Sequence, residues 1–216
     1  MKHRLSSTAS LLAIALLVSS LSAGCSSAKD YRYISNPDGT ITIVAYTGKA
    51  TTYSNKPVTV TIPSKIDGHT VSMIGYEVRA GRVYGAFASL NTGPGAPPAN
   101  VTVVIPDTVW GITDDAFRTA AQMSAIVIPD SVTDIGTTAF MDCIGLTTIT
   151  FPASVKGLGD NLFAMADNLT SVYFEGDAPN VSSHLFDLAP KNIVVYYHPG
   201  KSGFTNPWQG RPTKEF

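Results

Sequence analysis

The 216-residue chain is 44% hydrophobic but only 14% charged, and its formal net charge is -1. That is ample apolar material for one cored domain, at a charge density well below the roughly 25% usual in soluble domains. Loss of residues 1–24 would remove Lys2 and Arg4, leaving 13 basic against 16 acidic side chains. No basic stripe remains to neutralise a phosphate backbone, which argues against nucleic acid as a partner.

In chain order, the first element is an address. Lys2, His3 and Arg4 precede a short apolar run, Leu11–Val18, and a small-residue stretch that ends at Cys25. Residues 1–24 therefore read as a secretory signal peptide. The apolar run is too short to span a bilayer as a helix, which takes about 20 residues. Leu21–Cys25 (LSAGC) resembles a bacterial lipobox, although its leucine stands four places before the cysteine instead of three. That resemblance implies a lipid on Cys25, a tether over residues 25–30, and membrane contact through the lipid. Ser26 is not the aspartate that marks inner-membrane retention in some bacteria, so an outer-membrane or cell-surface address is expected. The alternative is ordinary cleavage and a free secreted protein. Once Cys25 carries lipid, Cys143 stands alone and no intramolecular disulfide can form.

Residues 31–55 read as an N-terminal β cap. Asn36–Gly39 (NPDG) is a turn signal and Thr40–Tyr46 alternates, which predicts a hairpin. A stretched first copy of the later pattern follows, with Val60–Pro63 (VTIP), Val71, Ile74–Gly75 and Ala86–Phe87. Its extra residues fall around Lys65–Thr70, Tyr76–Tyr84 and Asn91–Asn100. The last of these (NTGPGAPPAN) predicts an exposed loop rim.

The pattern then settles into a fixed period. Ile105, Ile128, Phe151 and Phe174 each open a copy 23 residues after the last, and Phe117, Phe140, Phe163 and Phe186 keep the same step. Such a period marks stacked repeats. Within Leu146–Gly159 (LTTITFPASVKGLG), Ile149 and Phe151 alternate with threonines as a half-buried strand. Pro152 ends the strand, and Val155 and Leu158 point inward from an extended or turning segment. Gly159 is expected to reverse the chain at positive φ, and Asp160 to cap a brief helical or 3₁₀ turn at Leu162–Phe163. Stacked copies would place Val103, Ile126, Ile149, Val172 and Val195 in one inward row.

The pattern IPxSVTxIGxxAFxxCxxLTxITIP, carried here by Ile128–Pro152 and including Met141–Leu146 (MDCIGL), resembles the BspA-like bacterial surface leucine-rich repeats. The resemblance covers about residues 56–198. It implies an α/β leucine-rich-repeat fold, a right-handed curved solenoid with a parallel β-sheet on one face and short helical or 3₁₀ turns. It implies no enzymatic activity, and some family members act in adhesion or in binding host matrix proteins. Residues 199–216 read as a capping tail, with Phe204 and Trp208 covering the last coil.

No catalytic residues, cofactor or metal are expected. His69, His184 and His198 form no ligand-spaced cluster, and a thiol in a core row, as Cys143 is, is inert. Asp107, Asp114, Asp115, Asp130, Asp134 and Asp160 recur at turns, where aspartate is favoured, without the Gly/Asp nonapeptide of calcium-binding β-rolls. Outward strand positions, among them Thr59, Thr148, Thr150, Tyr173 and Tyr196, carry no charge, and uncharged patches often mark contact surfaces. Tyr173, Tyr196, Thr148 and Thr150 are thus the candidate ligand-binding residues. The expected partner is a protein of the host or envelope, and the alternative is a glycan stacked on the tyrosines.

Overall fold

Alternating inward side chains force each copy to seek cover from the next, and the architecture follows from that. A computed structural model describes residues 28–48, 57–90 and 100–216. The leader, Cys25, residues 49–55 of the expected cap and the loop rim up to residue 99 lie outside the described residues.

The strands are β1 (Tyr31–Ser35), β2 (Ile41–Tyr46), β3 (Val58–Thr61), β4 (Lys65–Ile66), β5 (His69–Ile74), β6 (Tyr76–Arg79) and β7 (Arg82–Gly85). After them come β8 (Val101–Val104), β9 (Gly111–Ile112), β10 (Met123–Val127), β11 (Asp134–Ile135), β12 (Thr148–Phe151), β13 (Gly157–Leu158), β14 (Ser171–Phe174), β15 (Asn180–Val181), β16 (Val194–Tyr197) and β17 (Thr213–Glu215). Each regular copy contributes one longer strand and one strand of two residues. β1 and β2 form the expected antiparallel hairpin around the Asn36–Gly39 turn. β2 then runs parallel to β5, so the hairpin stands at one end of the sheet.

One expectation about the sheet needs correction, and another is sharpened. The longer strands do not form one continuous sheet: β10, β8 and β3 make one, and β12, β14, β16 and β17 another. The break falls beside a bulge at Ser124, which leaves that residue without a partner in the β8 register and adds local twist. The segment read as extended or turning is itself a ladder, in which β5, β9, β11, β13 and β15 pair in parallel through two residues each.

The far side of the regular repeats is not helical either, although a 3₁₀ turn follows Phe87 in the first copy. Among the described residues the 3₁₀ helices are Ala28–Asp30 and Ala88–Leu90, and the repeats close instead through hydrogen-bonded turns. Turn amides donate to the next copy. Phe117 N–H meets Ala139 O at 2.9 Å, Phe140 N–H meets Leu162 O at 3.0 Å, and Asp142 N–H meets Ala164 O at 2.8 Å. A helix would use those donors internally, and here they knit successive coils together.

The turns require left-handed backbone at two positions in three successive copies and at one in the next. Asp115, Thr138 and Asn161 form one such row, and Thr119, Asp142, Met165 and Leu188 the other. Gly159 is absent from both, which corrects the expected reason for its presence. A β-carbon on Gly159 would stand 2.6 Å from Thr137 Cα, so the glycine permits close approach between neighbouring coils. Asp160 receives the Ser182 hydroxyl on its carboxylate and caps no helix.

Phe87, Phe117, Phe140 and Phe163 are fully buried, with Phe186 only 4% exposed. Their rings stack in sequence at centroid separations of 4.9, 5.5, 6.0 and 5.9 Å. Tyr46 extends the column beyond Phe87 at 5.6 Å. At the other end Trp208 meets Phe186 edge-on, and the Arg211 guanidinium lies 5.2 Å over the same ring. Offset aromatic contacts of this kind add about 0.5–1.5 kcal/mol each beyond area burial. Cys143 is buried beside the column, its thiol donating to Phe117 O at 3.1 Å, and desolvation pushes that thiol far above its ordinary titration range.

Candidate functional site

Parallel register at a 23-residue step puts equivalent outward residues side by side. Thr150, Tyr173, Tyr196 and Lys214 occupy one row across β12, β14, β16 and β17. Thr148 lies in the adjoining row beside Ser171. Thr148 is exposed, while Thr150, Tyr173 and Tyr196 are half-buried. Thr59, expected on the same outward face, is buried. Cys25, the expected lipid carrier, lies outside the described residues.

Tyr173 and Tyr196 stack at 4.6 Å with planes only 11° apart. Each ring therefore has one face occupied by its neighbour. The remaining faces look along the row, towards Thr150 on one side and Lys214 on the other. Phe216 stands edge-on to both tyrosines, at 5.0 and 6.5 Å. It also lies 4.3 Å from the His198 ring.

One row further along, His198 Nε2 pairs with Glu175 Oε2 at 2.5 Å. Both side chains are about 30% exposed. Strand alternation past Phe174 and Tyr197 puts this pair on the outward side with the tyrosines. The expected face was uncharged, and the structure borders it with Glu175, His198 and Lys214. Sequence reasoning passed over this pair although the period contains it, since His198 follows Glu175 by 23 residues. Phe216 carried no such signal, because the tail departs from the repeat.

Of the recurring aspartates, Asp114, Asp115 and Asp160 accept hydrogen bonds between coils. Asp114 accepts from Thr137 N–H at 2.7 Å, and Asp115 from the Thr138 hydroxyl at 2.8 Å and from Arg118 at 3.1 Å. Among the described residues no group of three or more His, Cys, Asp or Glu is placed to hold a metal ion. His184 pairs with Asp187 at 2.8 Å, and that hydrogen bond raises its pKa. His69 Nδ1 lies 3.2 Å from Gly39 O.

In-register parallel strands in 23-residue copies define a leucine-rich-repeat fold with few helices. Residues 100–196 match the BspA type leucine rich repeat region in six copies. Solved structures agree. The leucine rich repeat protein TpLRR of T. pallidum is 25% identical, with a TM-score of 0.60 over 80% of this chain and 71% of that one. A leucine-rich repeat protein from Bacteroides capillosus is 28% identical, with a TM-score of 0.51 over 68% of this chain and 95% of that one. The pneumococcal vaccine antigen PcpA, 18% identical with a TM-score of 0.50 over 86% of this chain and 46% of that one, shares the fold. No curated protein matches the sequence significantly.

Proposed function

We propose that this chain is a non-enzymatic, lipid-anchored surface protein that binds another protein through the outward face of β12, β14, β16 and β17. In this reading the coils form a curved right-handed solenoid capped by the β1–β2 hairpin, and Cys25 carries the lipid. The observation that carries the binding face is the stacked Tyr173–Tyr196 pair with Phe216 across its edges. Half-buried aromatics with a polar border match the anatomy of protein interfaces, where tyrosine anchors are enriched and a charged rim surrounds them. Thr148 and Thr150 would lie at the margin of the contact.

The geometry weighs against the glycan alternative. A sugar ring stacks on a free aromatic face, and here the inner faces meet each other while the outer ones look towards Thr150 and Lys214. Phenolic edges remain, and these suit contacts with protein side chains. Capture of envelope and host proteins on the immobilised chain tests the proposal. Tyr173→Ala combined with Tyr196→Ala should reduce capture at least tenfold, as loss of two anchoring aromatics does. Undiminished capture would remove the site assignment, and glycan-array binding with tyrosine quenching would favour sugar instead.

A further inference from the structure

The residues inserted within the first copy, between Gly75 and Ala86, build a second surface at the opposite end of the molecule. β6 and β7 pair antiparallel around a two-residue turn, Ala80–Gly81, both left-handed, which is the geometry tight hairpins favour. Alternation sorts the side chains. Val78 faces Val83 across the pair, with Tyr76 on the same side, and these three are 59%, 38% and 40% exposed. Glu77, Tyr84, Arg79 and Arg82 take the other side and the tip.

Glu77 ties the hairpin down. Its Oε2 accepts from Arg32 of β1 at 2.6 Å and from Arg79 Nε at 2.6 Å. A cleft of about 270 Å³ lies between, lined in part by Arg32, Glu77, Arg79 and Tyr84. The hairpin is thus fixed beside the first residues of β1, where the chain enters the fold. Arg32 follows Cys25 by seven residues, a reach of roughly 25 Å when extended.

We propose that the β6–β7 hairpin is a membrane-contact element, laying its Tyr76, Val78 and Val83 side on an anionic lipid surface while Arg79 and Arg82 reach the headgroups from the tip. This rests on the lipid-anchored reading of Cys25. Charge complementarity selects the occupant. Over Ala28–Ser35 and Tyr76–Gly85, Lys29, Arg32, Arg79 and Arg82 outnumber Asp30 and Glu77, in a chain that otherwise carries excess acid. An anionic surface therefore attracts this end and repels the rest. Each arginine near such a surface strengthens binding roughly fivefold, too little for a free protein to bind tightly. Held by a lipid, the hairpin meets the surface at millimolar effective concentration, where weak contacts suffice. The tyrosine row would then point its ligand contacts away from the anchored end.

The test uses the chain from Cys25 to Phe216, coupled through the Cys25 thiol to a maleimide lipid in vesicles; the buried Cys143 does not compete. With brominated phosphatidylglycerol, Val78→Trp should be quenched at least twofold more than the unsubstituted chain. Arg79→Glu with Arg82→Glu should abolish that excess, as should phosphatidylcholine in place of phosphatidylglycerol. On the unsubstituted chain, hydrogen exchange over Tyr76–Gly85 should slow severalfold on phosphatidylglycerol alone. Equal quenching of the two chains, or quenching indifferent to charge reversal, would overturn the proposal. Because coupling supplies the anchor chemically, absence of palmitate on Cys25 in the native cell refutes lipid anchoring separately from the hairpin result.

Discussion

Gly159 and Gly136 show how a single missing β-carbon sets coil spacing. A β-carbon on Gly136 would stand 2.6 Å from the Thr113 carbonyl carbon, much as one on Gly159 would crowd Thr137. The obstacle in each case is backbone, which cannot swing aside. Gly159→Ala should therefore cost about 1–3 kcal/mol, the range for overpacking a tight site; urea denaturation checks it. Unchanged stability would mean that coil spacing is softer than the geometry indicates. The glycine was visible in the repeat, but its reason was not, because left-handed turns and close backbone approach both favour glycine. The left-handed positions instead hold Asp115, Thr138, Asn161 and their counterparts.

At the scale of one element, the aromatic column carries much of the core. Phe140 is fully buried between Phe117 and Phe163. Phe140→Ala removes one ring and leaves a cavity that rigid neighbours fill only in part. A loss of about 3–5 kcal/mol is expected, read from denaturant melts. The phenylalanine rows were legible because an invariant 23-residue step lets only equivalent positions meet. The turns between them were misread as helical. Short runs such as Leu162–Phe163 satisfy helix and turn alike, and the choice depends on where the amides find acceptors. Here the amides divide: Leu162 N–H finds Leu185 O in the next coil, while Ala164 N–H stays on Asn161 O within the turn. The candidate site divides in the same way: Tyr173 and Tyr196 were readable from strand alternation, Glu175 and His198 from the period, and Phe216 from neither.

Across the whole molecule, both ends of the column need cover, because stacked repeats are stabilised chiefly by their neighbours. Trp208, only 5% exposed, meets Phe174, Phe204 and Phe186, and Arg211 donates to Phe186 O and Ala189 O. Trp208→Ala should loosen the terminal coil first. Amide exchange over Val194–Tyr197 should rise at least tenfold, while Gly111–Ile112 and Asp134–Ile135 stay protected; exchange read by mass spectrometry separates the two. A uniform rise along the chain would instead show that the repeats open as one unit. The stacked tyrosines at the Trp208 end and the basic hairpin at the other give the molecule a direction. No single residue or element encodes that polarity.

Periodicity alone was enough to establish stacked copies, inward rows and the phenylalanine column, since a constant step leaves like residues no neighbours but each other. Packing decided the remainder: the second ladder through β9, β11, β13 and β15, the break between β10 and β12, and the seating of Phe216 on the tyrosines. Those features turn on which backbone donor reaches which acceptor and on where an aperiodic tail comes to rest. Both are settled by contacts between residues that no repeat relates.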